Sequence, residues 1–123
     1  MINDLLKRLL IVVIFGSSLQ AVAGTTIEYD AHCNYVNAKN VLKYSGTCKA
    51  NWGVGMFPDN LSQTYQRYII TYPNGAEIVV FTYGSNEGVV NDIPAKLLAP
   101  KNGLERIKTV EGERFEFTKG SEF

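Results

Sequence analysis

A lysine beside a glycine near the C-terminus, one histidine next to a cysteine, a second cysteine and seven tyrosines make up the reactive vocabulary of this chain. Each residue type supports a different chemistry. Lys119, between Thr118 and Gly120 in "FEFTKGSEF", is a point charge beside a residue that frees the backbone, and it suits either a solvated surface position, the commoner case, or insertion into an acidic cleft. His32 and Cys33 are adjacent, with Cys48 fifteen residues on. One histidine and two cysteines at that spacing match no zinc pattern, so no metal site is expected. Asp30, Asp59, Glu77, Asp92, Glu105 and Glu116 are scattered, and no spacing singles out an acid/base pair, so they read as solvated surface groups. No serine sits in a nucleophile elbow. Gly53 and Gly55 lack the third glycine and the helix of a phosphate loop. The expectation is a non-enzymatic protein without a cofactor.

The tyrosines, Tyr29, Tyr35, Tyr44, Tyr65, Tyr68, Tyr72 and Tyr83, are amphipathic and suit a face for sugars or peptides, and they are also ordinary strand residues. Trp52 and Phe57 lie in "NWGVGMFPDN", where Gly53, Gly55 and Pro58 break an alternating apolar pattern. Two readings follow: a flap that closes a barrel end with its large side chains in the core, or an exposed apolar loop for a partner.

The N-terminus sets the compartment. Lys7 and Arg8 precede the apolar run LLIVVIF at 9–15, and a small, polar stretch ends in Ala21-Val22-Ala23. This is the tripartite pattern of a secretory signal peptide over residues 1–23, and the apolar run is well short of the roughly 20 residues of a membrane span. Residues 24–123 then form a single exported domain, periplasmic or secreted. Of 12 basic and 12 acidic residues, Lys7, Arg8 and Asp4 leave with the leader, so 10 and 11 remain. That near-neutral balance supplies no field for nucleic acid or for an anionic membrane. An even cysteine count in an exported chain implies a disulfide, Cys33–Cys48. Its loop of roughly 15 residues is worth about 3 kcal/mol, a large part of the stability of a small domain.

No segment keeps a helical period for long. Residues 25–30 alternate like a strand, and 32–36 and 41–50 form two more around "NAKN". "YQRYIITYPNGAEIVVFTY" is the strongest hairpin signal. A two-residue turn at Asn74-Gly75 would pair Ile69 with Val80, Ile70 with Val79 and Tyr68 with Phe81. Both faces of this hairpin are apolar, so a loop is expected to cover the outer one. Residues 89–92 form a short strand that Pro94 ends, and "AKLLA" forms one helical turn. In the last hairpin, 105–118, Gly112 takes the left-handed position of a three-residue loop and sets Ile107 opposite Phe115. Six to seven short strands in a small antiparallel barrel or sandwich, closed by one disulfide, is the expected all-β fold.

Two resemblances add to this reading. Residues 111–122, with "EG", Phe117 and "TKGSE", resemble the C-terminal motif of membrane-bound and periplasmic inhibitors of C-type lysozyme, which are small exported β-barrels. The resemblance implies that Lys119, flanked by Thr118 and Gly120, reaches toward the acidic residues of a lysozyme active site. That family's second contact loop is replaced here by "APKNGLERI", with Gly103 the one possible counterpart. Across most of residues 24–123, "SGTC", "YIITYPNGAEI", "VVNDIPA" and "GERFEF" follow the order seen in small exported bacterial domains of unknown function. The expected activity is binding of a protein partner, a lysozyme-like cell-wall hydrolase, with contacts from Thr118, Lys119, Gly120, Trp52 and Phe57. The alternatives are a periplasmic immunity protein against a toxin, a ligand-binding barrel and a structural envelope protein.

Overall fold

The computed structural model describes residues 26–120, apart from the side chains at 60 and 61. The leader expected at 1–23 lies outside the described residues. Among them are eight strands and no helix: β1 (Thr26–Val36), β2 (Leu42–Phe57), β3 (Asn60–Thr71), β4 (Glu77–Tyr83), β5 (Glu87–Val90), β6 (Ile93–Lys101), β7 (Leu104–Thr109) and β8 (Arg114–Thr118). Each pairs antiparallel with the next, and β8 pairs back onto β1 through Cys33↔Phe117 and Tyr35↔Phe115, so the one sheet closes on itself as a barrel. Closure removes the exposed edges that an open sheet would carry. The described residues therefore hold eight strands rather than six to seven, and at three places the strands or their register depart from the sequence expectation.

First, the strand period overrides Pro94. β6 begins at Ile93, opposite Val90 across a two-residue turn in which Asn91 and Asp92 have φ of 48° and 68°. Pro94 sits second in β6, and its carbonyl accepts from the Val110 amide at 2.9 Å. "AKLLA" then continues as strand and not as a helical turn. Second, "NWGVGMF" is no flap but the far half of the 16-residue β2. The two glycines lie on its outer face. Tyr65, directly opposite Gly55, lays its ring over that glycine, where an added Cβ would come within 2.5 Å of the hydroxyl. A cross-strand aromatic covering a glycine restores the burial the glycine lacks. Third, Pro73 changes the main hairpin. Proline presets the first central position of a type I turn, and Gly75 (φ 88°) follows in the left-handed region, giving a three-residue loop. The amide of Gly75 donates to the Tyr72 carbonyl at 2.9 Å and that of Tyr72 to the Ala76 carbonyl at 2.8 Å. Pairing is thus Ile69↔Val79, Ile70↔Ile78 and Tyr68↔Val80, one residue from the two-residue register. The last hairpin has the same turn. Gly112 has φ 97°, and Ile107 lies opposite Phe115 as expected.

The interior is filled in layers. Ala31, Cys33, Cys48 and Ala50 are small residues on β1 and β2 that leave room for the disulfide and for Ile70, Val80, Val90, Ala95 and Ile107. Cys33 and Cys48 are bonded, with Cα atoms 6.0 Å apart. Tyr68 and Phe117 pack at a ring distance of 4.7 Å. Such filling is what an eight-stranded barrel allows. On the outer wall of β2–β4, Phe57, Tyr65, Phe81 and Tyr83 form an aromatic chain with centroids 5.3–5.8 Å apart. Each of these four side chains is half-buried.

Candidate functional site

The up-and-down topology sorts the turns between two ends. At one end lie the chain's departure from β8 and the β2–β3, β4–β5 and β6–β7 turns; at the other lie β1–β2, β3–β4, β5–β6 and β7–β8.

The first end holds the lysine turn. Tyr29 points inward from β1, and its hydroxyl donates to the Thr118 carbonyl at 2.7 Å. The Thr118 hydroxyl accepts from the His32 amide at 2.9 Å. Two residues later the Gly120 amide donates to the Tyr68 hydroxyl at 3.3 Å. Tyr68 in turn donates to Gln66 Oε1 at 3.4 Å, the same oxygen that takes the Trp52 indole N–H at 2.8 Å. Gly120 is buried against Trp52, and a Cβ there would lie 2.3 Å from the indole Cγ. Only glycine fits, because backbone and indole occupy the side-chain space. Burial, with the nearby charge of Glu105 as a lesser cause, pushes the Tyr68 hydroxyl up to about 12, against the lowering effect of the Gly120 hydrogen bond. Burial also pushes Tyr29 upward, helped by its neighbours Tyr68 and Glu105. Both phenols are therefore neutral donors at physiological pH.

Lys119 sits between these two anchors and is exposed. Among the described residues it has no ion-pair partner. The segment through Gly120 is thus held at Thr118 and at Gly120, with Lys119 exposed between them. The other sequence candidates divide. Trp52, 6% exposed, is the platform under Gly120 and not a contact surface of its own. Phe57 lies on the opposite face of β2, against Tyr65 and Tyr83. Glu105, read from sequence as a surface carboxylate, is buried, because Gly103 (φ 79°) ends the β6–β7 turn so that Glu105 falls on the inward register with Ile107 and Phe117. The remaining sequence-predicted charges do lie outside. On the outer wall Glu116 accepts from Arg106 and Arg114, each at 3.0 Å, and from Asn34. Burial works to raise its carboxyl, but these three donors outweigh it and hold the group below its ordinary value.

The second end is an open mouth of about 610 Å³. Its floor and walls carry Tyr35, Tyr44, Tyr72, Ile78 and Phe115. Tyr35 stacks on Phe115 at 5.1 Å, and Tyr44 meets Tyr72 edge-on at 5.4 Å. Glu113 is held by the Tyr35 hydroxyl at 2.5 Å. Sequence reasoning had three of these tyrosines among seven but did not bring them together, and it did not single out Glu113. The missed signal is positional. Tyr35, Tyr72 and Glu113 each lie at or beside a three-residue turn of the same build: Asn37–Val41, Tyr72–Ala76 and Thr109–Glu113. A further concavity of about 380 Å³ on the outer wall is lined by Glu28, Lys49, Arg67 and Glu77 and contains no aromatic ring.

Both cysteine sulfurs are spent in the disulfide, and among the described residues no three of His, Cys, Asp and Glu gather to hold a metal ion. Among the same residues no helix is long and apolar enough to cross a membrane. Comparison with models of protein families, with curated proteins and with solved structures finds no match to this chain.

Proposed function

We propose that this barrel is an exported, non-enzymatic binding domain that engages a protein partner through Lys119, and that the partner is a cell-wall hydrolase of the lysozyme type with an acidic catalytic cleft. The observation that carries this reading is the pinning of the lysine on both sides, by Tyr29 on Thr118 and by Tyr68 and Trp52 on Gly120, while its own ammonium has no ion-pair partner among the described residues. A lysine on a loose tail loses conformational entropy when it binds; one held by its neighbours loses less, so more of the Coulombic gain appears as affinity. An acidic cleft gives the complementary charge, and glycoside hydrolases of this type work with two carboxylates that a single ammonium can bridge. The disulfide supports an oxidising, exported setting. The test is inhibition of a lysozyme panel by the purified protein beside Lys119→Ala. Stoichiometric inhibition that falls at least about tenfold in the variant supports the reading; inhibition indifferent to the substitution removes it.

A further inference from the structure

The mouth opposite Lys119 belongs to no part of that reading, and its lining is not that of a leftover cavity. Its volume, about 610 Å³, falls in the range of ligand sites, roughly 300–1,000 Å³. Three tyrosine rings and Phe115 form its apolar surface, and the polar groups at its rim carry both signs and both hydrogen-bonding senses. Glu113 supplies a carboxylate that accepts, already oriented by Tyr35. Lys43 supplies an ammonium with no ion-pair partner among the described residues. Asn74 and Asn91 spend their carbonyl oxygens on the amides of Ala76 (2.9 Å) and Val79 (2.8 Å), which leaves each amide NH2 as a donor at the rim. The Tyr72 hydroxyl has no hydrogen-bond partner among the described residues, and burial pushes it up to about 12, so it remains a neutral donor and acceptor.

These features discriminate among ligand classes. A site for an organic cation uses the negative faces of such rings, but Lys43 beside them opposes a second positive charge. A site for an anion is opposed in the same way by Glu113. A neutral ligand with one apolar face and a rim of hydroxyls meets every group on the lining: its face lies on a tyrosine ring, and its hydroxyls donate to Glu113 and accept from Asn74, Asn91 and Lys43. We propose that the Tyr35–Tyr44–Tyr72 mouth binds a short neutral oligosaccharide, independently of the Lys119 turn at the other end.

Isothermal titration of the disulfide-intact protein with N-acetylchitotriose, cellotriose and maltotriose tests this, and the comparison of the three separates N-acetylated wall-type glycans from plain glucans. Saturable binding of at least one, weakened about tenfold or more in Tyr44→Ala and in Tyr72→Ala, is expected. Lys119→Ala should bind sugar like the wild type. Glu113→Gln, at the rim, provides a weakened variant if the alanine variants fail to fold. Shifts of the Tyr35, Tyr44 and Tyr72 ring resonances on titration would locate the sugar in the mouth. The proposal is overturned if none of the three sugars binds at about 10 mM, if binding is indifferent to the tyrosine and Glu113 variants, or if choline binds in the mouth and the sugars do not.

Discussion

The residues on either side of Lys119 carry the contacts at this end of the barrel. Thr118 and Gly120 are held by two interior tyrosines and a tryptophan, so the lysine backbone is bracketed while its ammonium has no ion-pair partner among the described residues. This separates two substitutions that a flexible-tail picture would treat alike. Gly120→Ala retains the lysine but places a methyl within van der Waals radii of the indole, so the turn must lift off Trp52. Overpacking of this kind costs about 1–3 kcal/mol. The expected result is a red-shifted Trp52 emission and a weakened complex despite an intact Lys119, read by fluorescence and by inhibition titration. Glu116 gives a second prediction at this scale. Its carboxyl is held below the ordinary value of 4.5, so it binds fewer protons in the folded state than in the unfolded one near that pH. The stability it contributes is present above about 4.5 and is lost as pH falls through the folded value. Glu116→Gln should cost about 1–2 kcal/mol at neutral pH, and the difference from wild type should shrink in urea titrations below about pH 4.5. The residue types at these positions were legible in the sequence. What was not legible was that Trp52 serves as a support and Glu105 as an interior group, because both follow from registers set several residues away.

Strands and turns show how a local signal carries or loses long-range information. Glu111-Gly112 stands without a neighbouring proline, and its three-residue loop gave the correct pairing of Ile107 with Phe115. Asn74-Gly75 looks like a stronger signal, yet Pro73 commits the preceding residue to a type I turn and moves the register by one. Gly53 and Gly55 argue against a strand when read alone. Opposite Tyr65, Gly55 becomes the place where an aromatic ring can lie flat on the sheet, a relation that exists only once β2 and β3 are paired. Pro94 and "AKLLA" misled for a related reason: neighbours on both sides impose the strand conformation, which propensity cannot report. The disulfide was readable from cysteine count alone. It ties β1 to β2 in the layer beneath the tyrosine mouth. Cys33→Ser/Cys48→Ser should lower stability by about 3 kcal/mol, measured as a shifted urea midpoint with a similar far-ultraviolet spectrum.

At the scale of the whole molecule, closure of the sheet converts eight short strands into two chemically different ends joined by a filled interior. One end is plugged by the chain's own lysine turn; the other is an open aromatic mouth. The sequence made the all-β class and the disulfide legible. It did not reveal the mouth, whose lining joins Tyr35 and Tyr44, paired across β1 and β2, with Tyr72 at the end of β3 and with Glu113, which closure of β8 onto β1 brings beside Tyr35. The two ends are expected to act independently, so loss of sugar binding in Tyr44→Ala should leave partner binding at Lys119 intact. The measurement that tests the central claim most directly is titration of C-type lysozyme activity with the wild-type protein, Lys119→Ala and Gly120→Ala in parallel. The account predicts stoichiometric inhibition by the wild type and at least about a tenfold loss in both variants. No inhibition by the wild type, or equal inhibition by all three, would contradict it.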